Sequence, residues 1–467
     1  MKIIRLAIAL LIATSFSVQA QNKKPNIIFI LADDLGYGEL NVYGNKFNET
    51  PNLNKLAKQG TRFTNAYAAA PNCSPTRASF LTGQYPARVG ITDFLPGGEA
   101  TEKWLQPAKY VTLNEALSKV GYHTGIVGKW HLDTHYDNHK GGPQAHGFDE
   151  VIGSETKYIA GGDYFFPYDK ISTFNTGAEN EYLTDRQNKE AVNFIERNKE
   201  KPFFLYLSYY SVHAKLEAKE ELVQKYKKKF DAKYGAGQAE KIFGKKLEGP
   251  HKDNPHLAAM LESIDDGVGN IMATLEKNGL AENTILVFFS DNGGAGRGAD
   301  NGGLRGSKMW IYEGGIREPL MMRWPAKIKA GVVEKTAISS IDFYPTFLSM
   351  AGGKPDKDHV VDGLDLSPLF NGKKLDRDEL FWHYPSETAK SVEKMASAIR
   401  KGNYKLLHFY EDNRLELYDL SKDPSEKKNL SKEMPEKAAE LKRLLDKWKT
   451  SVNAEQPVLT AGVGKAH

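Results

Sequence analysis

Uninterrupted apolar runs, rather than alternating apolar and polar positions, mark the predicted strands of this sequence. Three of them occupy residues 25–32, 202–209 and 284–290, and a shorter one occupies residues 123–128. Such runs are typical of strands that are covered on both faces in a parallel sheet. Segments with helical spacing of apolar positions lie between them, at 50–57, 113–119, 187–198, 258–278 and 341–346. The pattern predicts an α/β fold with a large mixed, mostly parallel sheet sandwiched by helices.

The pattern changes after residue 376. Short apolar segments separated by turns predict four strands, at 380–383, 396–400, 404–409 and 415–419. An amphipathic helix is predicted after them, at 435–449. We therefore expect a smaller C-terminal antiparallel sheet with one helix. The predicted organisation is a leader at 1–20, a main domain at 25–375, a C-terminal α+β subdomain at 376–453 and a loose tail at 454–467.

The first twenty residues have the features of a secretory signal peptide. Lys2 and Arg5 precede an apolar run, and Val18-Gln19-Ala20 offers small residues for cleavage. We expect export to the periplasm or the medium, without a lipid anchor, because no cysteine lies near the cleavage site. No later run is long enough to cross a membrane. Loss of the two basic residues lowers the formal net charge from +4 to +2, which gives no general attraction for nucleic acids.

Acidic and amide side chains follow two of the predicted strands. Asp33 and Asp34 come directly after the first strand, and Asp291 and Asn292 come after the strand at 284–290. Ligands of open α/β sheets bind beyond the carboxyl ends of the strands. Four side-chain oxygens suit a hard cation such as Ca²⁺ or Mg²⁺, and the lack of paired thiols argues against structural zinc. For the Asp-Asp pair alone, a solvated turn remains an alternative.

Basic side chains also follow strands. Lys129 and His131 lie two residues apart just after residues 123–128, so they share a side if the segment stays extended. A surface lysine and a capping histidine are the alternative for this pair. His213 lies just past the strand at 202–209, and Lys308 follows a glycine-rich loop. That loop has none of the spacings that cradle phosphate, so we do not predict a nucleotide site.

Cys73 is the only cysteine in the sequence. A turn-prone stretch around Pro71 and Pro75 leads into a segment that can form a helix, which predicts Cys73 at a helix N-terminus, where the dipole activates a nucleophile. A buried, inert thiol is the alternative. The segment from Cys73 to Gly83 matches C-x-P-x-R-x-x-x-L-T-G, and so resembles the signature of type I sulfatases. The resemblance covers roughly residues 25–449.

The resemblance implies the fold of the alkaline phosphatase superfamily, with residues 25–375 as the catalytic domain. In this family the cysteine is oxidised after synthesis to formylglycine (3-oxoalanine), and a hydroxyl of its hydrate attacks sulfur with one Ca²⁺ polarising it. The metal ligands carried over to this sequence are Asp33, Asp34, Asp291, Asn292 and the modified Cys73. The catalytic residues carried over are Cys73, Arg77, Lys129, His131, His213 and Lys308.

The resemblance also implies a division of roles among these side chains. Arg77 is expected to steady the formylglycine, and His131 to take a proton from the second hydroxyl of its hydrate, which releases sulfate. His213, with Lys308, is expected to protonate the leaving oxygen. The predicted substrate ligands are Lys129, His213, Lys308 and His383, together with residues 158–168.

The implied function is hydrolysis of sulfate esters, most of all on a sulfated poly- or oligosaccharide. The implied partner is a formylglycine-generating or anaerobic sulfatase-maturating enzyme. Two alternatives stay open: a phosphatase or phosphonate hydrolase on the same fold, which would use Ser or Thr with two metals, and a secreted protein that binds sulfated glycans without turnover. The lysine-rich residues 215–252 predict a mostly helical insertion, either with a solvated charged face or as a strip for a polyanionic substrate.

Overall fold

The computed structural model describes residues 24–95, 103–134, 140–154, 164–168, 171–174, 176–244, 246–296, 298–385 and 392–457. The predicted leader, most of the 158–168 segment and the end of the predicted tail lie outside these ranges. Among the described residues, no helix combines the length and the apolar character that a membrane crossing requires.

A large sheet forms the centre of the described part of the chain. Its strand order is β4-β3-β5-β1-β6-β7-β2-β8, and β9 also pairs with β2. The strands are β1 Asn26–Ala32, β2 Thr61–Tyr67, β3 His123–Gly128, β4 Glu150–Ile152, β5 Phe203–Ser208, β6 Thr284–Ser290, β7 Arg317–Arg323, β8 Val332–Glu334 and β9 Ile338–Ser339.

Strand β1 lies at the middle of this sheet and pairs in parallel with β5 and β6. Ile27 is opposite Phe204 on one side and Ile285 on the other. All residues of these three strands are buried, because helices cover both faces. The parallel arrangement brings the carboxyl ends of the three strands to one edge, where the residues that follow them meet.

Helices cover the two faces of the sheet. The α-helices are α1 Pro51–Gln59, α2 Cys73–Thr82, α3 Pro86–Val89, α4 Leu113–Lys119, α5 Leu183–Asn198, α6 Glu220–Tyr234, α7 Gln238–Phe243, α8 Pro255–Lys277, α9 Glu313–Ile316, α10 Phe343–Met350, α11 Ser367–Phe370 and α12 Pro435–Ser451. Helices α1, α5 and α8 share a core with one face of the sheet. Helices α2, α4 and α10 share a core with the other.

A second sheet follows in the C-terminal part. Its strands β10 Glu379–Tyr384, β11 Ala396–Lys401, β12 Tyr404–Phe409 and β13 Leu415–Asp419 pair in chain order and antiparallel. One face of this C-terminal sheet packs against α12 through a shared apolar core. The other face packs on residues that include Tyr67, Tyr312 and Ile316 of the larger unit. These two sheets and the C-terminal helix confirm the predicted fold class.

Five strands of the large sheet were not predicted, and β2 and β7 are the longest of them. Strand β7 runs antiparallel between β6 and β2, which is the mixed part of the sheet. Strand β2, at residues 61–67, mixes polar and apolar side chains, and β7 begins with Arg317-Glu318-Pro319. Neither segment therefore shows a long apolar run. Both are held by pairing with distant strands rather than by a local pattern.

The lysine-rich segment folds mainly into α6 and α7 and carries its own apolar cluster. Several of its ammonium groups form ion pairs with acidic groups: Lys225 and Lys229 with Glu49, Lys227 with Glu240, and Lys233 with Asp253. Pairing of this kind favours the charged solvated face over a strip that receives a polyanion.

Candidate active site

Helix α2 begins at Cys73, next to the carboxyl edge of the large sheet. Asn72 is its extended N-cap, Pro75 occupies the first turn where no backbone donor is needed, and Gly83 ends the helix with a left-handed φ of 68°. Every residue of the helix is buried, and Cys73 is only 2% exposed. The predicted helix N-terminus is therefore present, and it lies inside the protein.

The environment of the Cys73 thiol does not favour its ionisation. Burial raises the thiol pKa, and the positive charges of Lys129 and Lys308 only partly oppose that shift. A thiol with a raised pKa is a poor nucleophile near neutral pH. The helix N-terminus thus does not lower the thiol pKa, in contrast to the activation expected from sequence.

Three carboxylates converge beside this helix. Asp33 and Asp34 follow β1, Asp291 follows β6, and one oxygen of each lies within 4.8 Å of the others. The Asp34 backbone N–H donates to Asp291 Oδ1 at 3.1 Å, and Asn292 Nδ2 donates to Asp34 Oδ1 at 2.7 Å. The sequence prediction of a common oxygen-rich site at these two strand ends agrees with this geometry.

The electrostatics of the cluster call for a cation. Burial and the charge of Asp33 raise the pKa of Asp291, because two buried carboxylates repel each other. Burial would also raise the pKa of Asp33, but the charges of Lys129, His213 and Arg77 lower it. Buried oxygens Asp33 Oδ1 and Asn292 Oδ1 have no hydrogen-bond partner among the described residues. All-oxygen donors with unused lone pairs fit Ca²⁺ or Mg²⁺.

Arg77 supports this cluster from within helix α2. Its Nε and Nη2 donate to Asp291 Oδ2 at 3.1 and 2.7 Å, and its Nη1 donates to Tyr206 Oη at 3.1 Å and to the Lys129 carbonyl. The side chain is completely buried. A bidentate guanidinium fixes the orientation of a carboxylate, so Arg77 orients Asp291 directly.

Two lysines reach the same cluster from different elements. Lys129, after β3, lies with its Nζ 2.5 Å from Asp33 Oδ2. Lys308, at the end of the glycine-rich loop, lies with its Nζ 2.8 Å from Asp34 Oδ1. Burial lowers the pKa of Lys308, but the charge of Asp34 raises it by more, so the ammonium of Lys308 stays charged. The two cations flank the region next to Cys73 where an anionic substrate group would lie.

His131 lies near Lys129, Arg77 and Asp33, with one ring nitrogen free of hydrogen bonds to the described residues. The residue has a φ of 57°, so the segment after β3 does not stay extended as the sequence argument assumed. Nε2 lies 3.0 Å from the Leu95 carbonyl, which only accepts, so Nε2 carries the hydrogen. Buried Nδ1 has no partner among the described residues. Burial and the charge of Lys129 lower the ring pKa well below 6.5, which keeps the imidazole neutral and leaves a lone pair at Nδ1.

His213 has the opposite arrangement of ring nitrogens. Nδ1 donates to the Ala214 carbonyl at 3.0 Å, and Nε2 points to Asp34, 3.6 Å from Oδ2. The Tyr164 hydroxyl donates to the His213 carbonyl at 3.0 Å and holds this loop. Burial lowers the pKa of His213, and Asp34 opposes that shift. The side chain is 16% exposed, so Nε2 lies at the solvent side of the cluster.

His383 lies elsewhere, in strand β10 of the C-terminal sheet. Its Nε2 donates to the Glu455 carbonyl at 2.7 Å, and its Nδ1 lies 2.7 Å from Ser397 Oγ. Both ring nitrogens are thus engaged within the protein, and burial lowers the pKa to about 4. Glu455 also binds Lys103 at 2.7 Å, although a loose tail was predicted from residue 454. A substrate-binding role for His383 stays a prediction.

Sequence reasoning missed two features of this site. The Leu95 carbonyl sets the tautomer of His131. Every residue has a backbone carbonyl, so the sequence does not indicate which one contacts a given side chain. Glu318 in β7 is completely buried, with both carboxyl oxygens lacking a partner among the described residues. Burial and the charges of Asp291 and Asp34 raise its pKa well above 4.5. An acidic residue inside the short apolar segment of β7 was the available signal.

Comparison with known proteins identifies this arrangement. The sequence model of the sulfatase family matches residues 25–353, and the model described as N-sulphoglucosamine sulphohydrolase, C-terminal, matches residues 306–451. The chain is 34% identical over 403 residues to the N-acetylgalactosamine-6-sulfatase of Mus musculus, covering 79% of this chain and 70% of that protein. It is 31% identical over 517 residues to a sulfatase of Formosa agariphila, covering 92% and 88%.

A solved structure agrees with the sequence relatives. The crystal structure of Ps i-CgsB superposes with a TM-score of 0.78 at 31% identity and covers 93% of this chain and 94% of that one. The same protein has been solved in complex with k-i-k-neocarrahexaose. On this evidence the chain belongs to the sulfatase family and is a sulfuric ester hydrolase.

Proposed function

We propose that this protein removes sulfate from a sulfated carbohydrate, using a formylglycine made from Cys73 and one bound Ca²⁺. The observation that carries the proposal is the position of Cys73: buried at the start of α2, it lies beside a carboxylate cluster and within the influence of the charges of Lys129 and Lys308. The raised thiol pKa supports conversion of the cysteine, because the thiol itself would react poorly.

The cation site supports the same proposal. Asp33, Asp34, Asp291 and Asn292 would hold the ion, and Arg77 keeps Asp291 oriented toward it. When bound, a calcium ion supplies Lewis-acid polarisation, while the hydrated aldehyde of formylglycine supplies an oxygen nucleophile. Among the described residues, one cluster of three such groups occurs. A single cluster favours sulfatase chemistry over a phosphatase that uses two metals.

The charged side chains around Cys73 have distinct roles in this reaction. Lys129 and Lys308 would neutralise the oxygens of the sulfate group, which carry its charge in the ground state and in the transition state. His131 would accept a proton at Nδ1, the nitrogen that its bond to Leu95 leaves free. His213, once its ring is protonated on both nitrogens, would deliver the proton from Nε2 to the leaving alcohol, with its Nδ1 held by Ala214.

The assignment to carbohydrate substrates rests on the relatives. The Mus musculus relative is named N-acetylgalactosamine-6-sulfatase, and the structural neighbour has been solved with k-i-k-neocarrahexaose. We also propose that the protein is exported through its first 20 residues, and that a maturation enzyme acts on Cys73.

A desulfation screen tests the proposed function. Protein co-expressed with a maturation enzyme would be assayed by sulfate release on defined sulfated mono- and oligosaccharides, nitrophenyl sulfate, a steroid sulfate and a phosphate monoester. We expect turnover of at least one sugar sulfate and none in Cys73→Ala. Peptide mass spectrometry of the active protein should show an aldehyde in place of the thiol at position 73. Full activity with an unmodified Cys73, or turnover of the phosphate ester alone, would contradict the proposal.

A further inference from the structure

The loop that carries Lys308 bridges the two sheets. At its base the Gly314 backbone N–H donates to the Arg305 carbonyl at 2.7 Å, which closes the loop on itself. At its tip the backbone of Lys308 binds Gly294, and the Met309 N–H donates to the Pro71 carbonyl at 2.9 Å, two residues before Cys73. The tip therefore belongs to the active site, whereas the base faces the C-terminal sheet.

Fully buried charges tie the base of this loop to the C-terminal part. Lys405 Nζ, in β12, donates to Glu313 Oε1 at 3.0 Å and lies 2.9 Å from Glu426 Oε1. Glu426 Oε2 also accepts the Glu313 backbone N–H at 2.6 Å. The Tyr67 hydroxyl donates to Glu313 Oε2 at 2.8 Å. The side chains of Lys405, Glu313 and Glu426 are all 0% exposed.

A second set of contacts holds the other side of the loop base. The Arg305 guanidinium stacks 3.9 Å from the Tyr312 ring centre and donates to Tyr418 Oη at 2.8 Å and to the Glu426 carbonyl at 3.1 Å. The Tyr312 hydroxyl donates to Glu416 Oε2 at 2.7 Å. Both ends of the loop are thus fixed to strands β12 and β13 and the turn that follows them.

We infer that the C-terminal sheet positions Lys308 for sulfate, with Lys405 and Glu426 as positioning residues that act through Glu313. The inference rests on the proposed role of Lys308. A buried ion pair is weak evidence for stability, because desolvation offsets much of its attraction. The ion pair matters here for geometry. It fixes the backbone at Glu313, five residues from Lys308, whose ammonium must lie close to the sulfate group. The match of the C-terminal family model from residue 306 onward treats this loop and the C-terminal sheet as one unit.

A double-mutant cycle tests the inference. Lys405→Met should lower kcat/KM for a sugar sulfate by about tenfold and weaken inhibition by free sulfate, as expected for residues coupled in one network. In a Lys308→Ala background the same substitution should have little further effect. Lys401→Met is the matched control, because Lys401 forms a partly exposed 2.6 Å pair with Glu379 in the same sheet and should leave both measurements unchanged.

Folding is checked by the thermal midpoint of each variant. Tyr67→Phe removes the hydrogen bond to Glu313 and the one that Arg400 donates to the Tyr67 hydroxyl, but no charge. It serves if Lys405→Met does not fold, with a smaller loss of the same kind expected. The inference would be overturned if the variant that folds lost the same factor in kcat/KM in the wild-type and in the Lys308→Ala background. The buried ion pair would then have only a structural role. A wild-type protein that releases no sulfate from any ester would instead contradict the proposed function.

Discussion

At the scale of single residues, two histidines leave opposite ring nitrogens free for the proposed proton transfers. His131 donates from Nε2 to Leu95 and keeps Nδ1 free, whereas His213 donates from Nδ1 to Ala214 and presents Nε2 next to Asp34. A backbone carbonyl fixes each ring, so neither ring can exchange its roles without breaking that bond. The free nitrogens support a base at His131 and, once the His213 ring is protonated at Nε2, an acid on the other side of the sulfate group.

The acid role of His213 predicts a dependence on the leaving group. His213→Ala should lose far more kcat on a sugar sulfate than on nitrophenyl sulfate, because a sugar alkoxide needs protonation and a nitrophenolate does not. We expect a loss of roughly 10²–10⁴-fold on the sugar ester, the usual contribution of a general acid. Steady-state rates on both esters measure it. His123→Ala, at a partly exposed histidine of β3, is the control, and equal losses on both esters for His213→Ala would refute the role.

The base role of His131 predicts a kinetic burst. In His131→Ala the first step should release nitrophenol from nitrophenyl sulfate, and the reset of position 73 should become slow because Nδ1 is gone. Rapid-mixing measurements should therefore show about one nitrophenol per active chain, followed by a slow steady state. A slow release without a burst would place His131 in the first step instead.

Glu318 predicts a pH dependence of stability. Its folded pKa is raised well above 4.5 by burial, so the folded protein keeps the proton over a range in which the unfolded chain has lost it. Stability is then full below about pH 4.5 and falls as the pH rises toward the folded pKa, by about 1.4 kcal/mol per unit of pKa shift. Glu318→Gln should flatten this slope in denaturant titrations between pH 5 and 8. An unchanged slope would contradict the assignment.

At the scale of elements, the ends of β1 and β6 are joined by groups that repel one another. Asp33 and Asp34 follow one strand and Asp291 the other, and burial keeps water from screening them. The cation is therefore expected to hold two neighbouring strand ends together as well as to serve catalysis.

Metal removal should affect both activity and stability. A chelator should abolish sulfate release and lower the thermal midpoint, because an ion that binds only the folded state stabilises it by mass action. Added Ca²⁺ should restore both. Metal analysis of the active protein should find about one calcium per chain, given a single cluster of oxygen ligands. Two zinc ions per chain would favour the phosphatase alternative.

The same elements show what local sequence reveals. Strands β1, β5 and β6 were predicted because they are buried on both faces, which leaves long apolar runs. Strands β2 and β7 were missed because their place depends on antiparallel pairing with each other and with β6. The metal ligands and basic residues were predicted because strand ends and a specific motif carry them. The Leu95 carbonyl and the Lys405 contacts were not, since their partners lie far away along the chain.

At the scale of the whole molecule, the active site is built between units that lie far apart in sequence. The large sheet supplies the proposed metal ligands, helix α2 supplies Cys73 and Arg77, and the C-terminal sheet contacts the loop of Lys308. Damage to the C-terminal sheet should therefore reduce activity without touching any group that contacts substrate.

The burial of helix α2 also implies that the proposed modification of Cys73 precedes folding. All ten residues of Cys73–Thr82 are buried in the folded protein, so a maturation enzyme could not bind this motif once folding is complete. The proposed conversion of Cys73 to formylglycine must then take place before the chain has folded. Unconverted protein that has already folded should remain inactive when the maturation enzyme is added, and should gain activity only if it is unfolded first. The active fraction of a preparation would thus record how fast the chain folded in its host.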